Sequence, residues 1–170
     1  MKRARAVVRA ALAVCTLAAC ASPPASDPGA VAAEYARQGR WDEAGRAIQL
    51  AVRQHPRDAS LRRQAADILR HGGRPAEAVR HLELAIQIEP EEAEAWIALG
   101  DLEKARENIQ DAYVAYRRAA ELAPRDLRAV SGLALTADSL GFEEEAEDAY
   151  RRWAELEREY GTDTVPRSAR

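Results

Sequence analysis

Between residues 28 and 160 the apolar positions recur at steps of three and four, the spacing of one face of an α-helix. Ala44, Ile48 and Ala51 make one such stripe, and Ala78, Leu82 and Ala85 make the next. Ala112, Tyr116 and Ala119 follow, then Ala146, Tyr150 and Trp153. Each stripe lies 34 residues after the one before. Pro56, Pro90 and Pro124 keep the same interval, as do Gly39, Gly73 and Gly141, with Glu107 in the third place. Proline cannot sit inside a helix, so each marks a stop. Asp27 before Pro28, Asp58 and Asp126 stand where a helix N-cap is needed, and Gly73-Arg74-Pro75 makes another start. The pattern predicts two helices of about 13–15 residues per unit. The copies run 25–58, 59–92, 93–126 and 127–160, with residues 161–170 as a loose tail. Small residues at Ala44, Ala78 and Ala112 let paired helices approach closely, and the larger residue four positions on fills the space beside them.

A 34-residue helix–turn–helix unit resembles the tetratricopeptide repeat. The third copy carries the resemblance best, with Trp96-x-x-Leu99-Gly100, then Ala112-x-x-x-Tyr116, then Pro124. It departs at Glu103, where the family has Tyr; the first copy supplies that residue as Tyr35 but has Pro28 in place of the Trp. The second copy has Ala65-Ala66 for Leu-Gly, and the fourth has Arg158 for the final Pro. The resemblance implies an all-α fold, a solenoid of four helix–turn–helix units. One unit cannot bury its own apolar face, so stacking is required.

The amino terminus is of another kind. Lys2, Arg3, Arg5 and Arg9 precede a run from Ala10 to Ala19 broken only by Thr16. Ten residues are too few to cross a bilayer core, which takes roughly 20 in a helix. A basic stretch followed by a short apolar run reads as a secretory signal over residues 1–19. Leu17-Ala18-Ala19-Cys20 resembles the lipobox of bacterial lipoproteins, and residues 20–27 read as a tether. That resemblance implies cleavage before Cys20, lipid on its sulfur and usually on the new amine, and a membrane-anchored mature chain. Ala21, not Asp, follows the Cys, which implies the outer membrane under the sorting rule of enteric-like bacteria.

Composition narrows the remaining classes. The net charge is −3, and losing the four cations of residues 1–19 leaves −7, so there is no basic field for nucleic acid. Of the two Cys, Cys15 leaves with the signal and Cys20 takes lipid, so no disulfide or thiol chemistry is expected. His55, His71 and His81 are not spaced as metal ligands, and no nucleophile elbow, phosphate loop or dinucleotide fingerprint is present. No enzyme activity, metal or cofactor is expected. Glu143-Glu144-Glu145 opens the last helix and reads as charge complementing the helix dipole on a solvated face.

What the family resemblance offers is a concave surface lined by the first helix of each unit. Carried onto this chain, it takes Arg63, Gln64, Asp67 and Arg70 from the second unit, with Ser60 and His71. The third contributes Ile97, Asp101 and Lys104, with Glu94 and Ala98. The fourth contributes Arg128, Leu135 and Asp138, with Ser131 and Gly132. The face is mixed in charge, with Ile97 and Leu135 as apolar points. Cochaperone members of the family clamp a peptide ending in acidic residues with Lys, Asn, Asn, Lys and Arg. Here Arg63 and Arg128 fit that clamp, whereas Asp67, Ala98 and Gly132 do not, so a chaperone-tail binder is not expected. The expected partners are other proteins or peptides, held at a bacterial envelope. Lipoproteins of this kind resemble assembly factors of pili and secretins, with adaptors of cell-wall (peptidoglycan) enzymes as the alternative. Finally, Trp153, Leu156 and Tyr160 share one face of the last helix. The stripe is expected to be mostly buried, with Trp153 the most exposed of the three and a possible site of self-association.

Overall fold

A computed structural model describes residues 27–163, all of whose regular elements are helices. They are α1 (Pro28–Arg37), α2 (Trp41–Gln54), α3 (Ala59–His71), α4 (Pro75–Ile88), α5 (Ala93–Ala105), α6 (Ile109–Leu122), α7 (Leu127–Leu140) and α8 (Glu143–Asp163). The signal, Cys20 and the tether before Asp27 lie outside the described residues, as do residues 164–170. The helices pack as four antiparallel pairs, α1 with α2 through α7 with α8. Successive pairs join through α2–α3, α4–α5 and α6–α7, and α5 also reaches α7. This is an α-solenoid.

The turn inside each pair is one loop used four times. Gly39, Gly73 and Gly141 take positive φ of 71°, 73° and 77°, and Glu107 takes the same conformation at 65°. The amide two residues past the last helical turn reaches back over it: Arg40 N to Tyr35 O, Asn108 N to Glu103 O and Phe142 N to Ala137 O are each 2.9 Å, and Arg74 N to Leu69 O is 2.8 Å. This is the Schellman arrangement, which glycine adopts without steric cost. Glu107 is the departure, and it sits beside a second one. Glu103 is only 4% exposed. Its carboxylate accepts from Arg106 Nη1 at 2.8 Å and from Asn108 Nδ2 at 2.7 Å, so the buried charge is paired from within the turn.

At the start of three of the pairs, Asp27, Asp58 and Asp126 cap α1, α3 and α7. Asp126 accepts from the amides of Arg128 and Ala129 at 2.8 and 3.1 Å. Two inter-unit bends carry a further tie. Arg62 donates to Pro56 O at 2.6 Å, and Trp96 Nε1, one repeat later, donates to Pro90 O at 2.9 Å.

The core falls into three clusters. One joins α1, α2 and α3, and a small one joins α3, α4 and α5. The largest spans α5 to α8 and holds Ala112, Tyr116, Leu133 and Leu156. Ala44, Ala78 and Ala112 are fully buried, which is why no larger residue stands in that column.

Three expectations require correction. The loose tail does not begin at Gly161: the last helix continues through Gly161 and Thr162 to Asp163. A glycine in a helix costs only about 1 kcal/mol relative to alanine. No residue before Pro166 forces the chain out of helix. The Trp153 stripe is buried at Leu156 (7% exposed), but its most exposed member is Tyr160 (47%), not Trp153. Trp153 is half-buried against the α5–α8 core and stacks near Tyr150 at 6.2 Å. The partner helix α7 starts at Leu127, and α8 has run past it by Tyr160, whose hydroxyl reaches only Arg125 O at 3.4 Å. The acidic start of α8 is not all solvated either: Tyr113 Oη donates to Glu145 Oε2 at 2.5 Å, and burial with that bond pushes the Tyr113 phenol up.

Candidate binding groove

The first helices of the four pairs line a groove of about 770 Å³. Arg63, Gln64, Asp67, Arg70, Asp101 and Arg128 stand along it, as do Ser60, Glu94 and Ala98. Lys104, Leu135 and Asp138 do not line it; Leu135 is exposed at 43%, and Asp138 meets Tyr150 Oη at 3.4 Å. Ile97 is the error of the sequence reading. It is 1% exposed and belongs to the α5–α8 core. Its column holds Arg63 in the second unit, and a polar residue there leans out while an isoleucine turns in.

Residues missed are Ala33 and Ala36 of α1, Ala105 of α5, and a floor that includes Ala66, Leu82 and Leu102. Ala33 and Ala36 stand one repeat before Asp67 and Arg70. Running the register back by one unit finds them. Leu82 comes from a second helix, and only the packing reveals that small residues on α3 leave it visible from the groove.

The charged side chains are tied to one another. Arg63 pairs with Glu92 at 2.8 Å, and Arg70 with Asp67 at 2.7 Å. Arg128 reaches Glu94 at 2.9 Å with one nitrogen and Asp101 at 2.7 Å with the other. Asp101 in turn accepts from Tyr116 Oη at 2.5 Å. The bond to Asp101, ahead of that to Glu94, strengthens Arg128's hold on its proton; burial first, then the Asp101 bond, pushes the Tyr116 phenol far up.

Tyr116, buried on α6, reaches Asp101 because two glycines let its ring through. A methyl built on Gly100 would lie 2.8 Å from the ring, and one on Gly132 only 2.4 Å. Gly132 is therefore buried under the ring and is not part of the groove's open wall. Lys104 lies against the same ring at 5.5 Å.

Models of the tetratricopeptide repeat match residues 59–102 and 93–126. The fold is a tetratricopeptide repeat solenoid. Solved repeat structures align over most of the chain. The crystal structure of MamA is 23% identical, covers 75% of each chain and has a TM-score of 0.70. MamA from Desulfovibrio magneticus RS-1 is 14% identical, covering 81% of this chain and 76% of its own, with a TM-score of 0.67. The first TPR of Spaghetti (RPAP3), bound to the HSP90 peptide SRMEEVD, is 22% identical, covering 67% of this chain and 90% of its own, with a TM-score of 0.63. At these identities the likeness is one of fold. Comparison with curated proteins gives no significant match.

Among the described residues no cluster of His, Cys, Asp or Glu has the arrangement of a metal site, and no helix is long and apolar enough to cross a membrane. His71 ends α3 stacked on Trp41 at 4.7 Å, and His81 is half-buried on α4 beside Arg62.

Proposed function

We propose that the protein is a lipid-anchored scaffold on the periplasmic side of a bacterial outer membrane, where its repeats hold other proteins together. The observation that carries the reading is the groove of about 770 Å³ on a repeat solenoid. Its walls are polar and its floor aliphatic, the mixture that a peptide's backbone and side chains require. A relative of the same fold is bound to a peptide, which supports a groove of this kind as a peptide site. Cys20, behind a short apolar run, is the proposed lipidation site. Two acyl chains suffice for stable anchoring where one does not. The process served is the assembly of an envelope complex such as a pilus or a secretion system. Recruitment of cell-wall enzymes would use the same groove and anchor.

Two measurements test it. Cys20→Ala is expected to leave membranes or to stall in processing; a variant processed and membrane-bound like the parent would refute the anchor. A photo-crosslinker at Gln64, in the groove, is expected to capture components of an envelope assembly in intact cells. Capture only at a control position on the outer face, such as Arg53, would remove the groove from the reading.

A further inference from the structure

Every guanidinium in the groove already meets a carboxylate of its own chain. Arg63 has Glu92, Arg70 has Asp67, and Arg128 has both Glu94 and Asp101. Three cations thus face four carboxylates, so the groove presents no net positive potential to an arriving anion. The arrangement at Arg128 is the most complete. Its two nitrogens hold two different carboxylates, and Asp101 is itself held by the Tyr116 hydroxyl at 2.5 Å. The tyrosine is locked between Gly100 and Gly132, so Asp101 has little freedom to swing aside.

A peptide carboxylate that approached Arg128 would have to displace Glu94 or Asp101. The displaced group would then stand unpaired beside the newcomer, a like-charge contact that suppresses wrong partners. The α1 side of the groove points the same way. Ala33 and Ala36 occupy the columns that hold Asp67 and Arg70 in the next unit, so α1 offers methyl groups where α3 offers charge. Ala98 and Ala105 continue that surface on α5.

We infer that the groove selects an uncharged, aliphatic peptide segment and turns away acid-ended peptides, with Glu94 and Asp101 acting as built-in carboxylates on Arg128. This rests on the reading of the groove as the partner site, and it names the chemistry that the site accepts. It sets the chain apart from the fold relative solved with SRMEEVD, a peptide whose acids gather at its end.

The test uses two fluorescent peptides of about a dozen residues and the full chain at low salt, where charge effects are least screened. One is a Leu/Ala/Gln sequence with both ends blocked. The other is the same sequence ending in free Glu-Glu-Val-Asp. Anisotropy titration is expected to show the neutral peptide binding at least tenfold more tightly. Glu94→Gln with Asp101→Asn is expected to raise affinity for the acidic peptide at least tenfold relative to the neutral one, so that the preference between the two peptides is lost. The amide oxygen that Asp101→Asn introduces still accepts from Tyr116, and Glu94→Gln alone, at an exposed position, gives the same direction without touching that contact. Ala98→Trp, which fills the groove, is expected to abolish binding of the neutral peptide. Equal or tighter binding of the acidic peptide to the unaltered protein overturns the selectivity, as does no binding of the neutral peptide, while the crosslinking at Gln64 still decides the groove itself. Neutral-peptide binding that is indifferent to Ala98→Trp overturns the groove reading instead.

Discussion

Gly132→Ala should destabilise this protein, although alanine is the better helix former. Gly132 lies inside α7, where replacing glycine by alanine ordinarily gains about 1 kcal/mol. The added methyl would stand 2.4 Å from Tyr116 Cδ1 and 2.5 Å from Cε1. That is more than 1 Å inside the ~3.5–4.0 Å optimum for two carbons. The ring has little room to shift, because it lies so close to Gly100 that a methyl there would also meet it at 2.8 Å, and Asp101 holds its hydroxyl. Overpacking of this kind costs about 1–3 kcal/mol, and a clash this deep belongs at or above the upper end. Set against the helical gain, the net loss is about 2 kcal/mol. For a chain of this size that lowers the midpoint by roughly 4–8 °C. Thermal unfolding followed by far-UV circular dichroism measures it. The second arm is a rescue: Tyr116→Leu, the residue that Leu82 places in the same column, removes the ring. In that background Gly132→Ala should be neutral or stabilising, a coupling of about 2 kcal/mol between the two positions. A Gly132→Ala protein that melts at or above the parent would refute the wedge. So would an equal penalty in both backgrounds.

Glu107→Gly should stabilise by about 1 kcal/mol, since a left-handed residue with a side chain costs about 1–2 and glycine returns part of that as unfolded-state entropy; an unchanged denaturation midpoint would count against strain at that turn. Ala112→Arg places a charge at a fully buried position and should cost several kcal/mol, unfolding much of the array, and an unaltered melting temperature would contradict the packing. Burial, ahead of the charge on Arg62, lowers the pKa of His81 below 6.5 in the folded chain. Its contribution to stability is therefore whole above pH 6.5 and is lost as pH falls from there through the folded value. His81→Gln should flatten that part of a stability–pH curve, and an unflattened curve would assign the acid sensitivity elsewhere. Trp153→Ala should leave the elution volume of the protein unchanged on sizing, because the ring serves the α7–α8 contact; loss of a larger species with helicity intact would make that face an interface between copies.

The interval of 34 made the helices legible because one constraint, a small residue opposite a large one, acts in every unit. Asp27, Asp58 and Asp126 were legible as caps because capping is local. The groove was legible by register at Arg63, Asp67, Asp101 and Arg128 but not at Ile97, where hydrophobicity overrode the column and turned the side chain inward. Nor did the sequence disclose that the arginines are engaged. Arg128 and Glu94 are 34 residues apart, and their meeting depends on how far successive units rotate. Tyr116 belongs to both lessons. Its place in the core follows from the column, whereas its hydroxyl's reach to Asp101 follows from two glycines on two other helices.

The division of the core has a consequence for the order in which this chain becomes a protein. The largest cluster lies between α5 and α8, while the α3–α5 seam is held by a handful of aliphatic residues. A polypeptide is made from its amino end, so the units that appear first carry the smaller clusters, and the largest is completed last. Until Leu156 has emerged to close the α7–α8 pair, the largest core cluster of the nascent chain is incomplete.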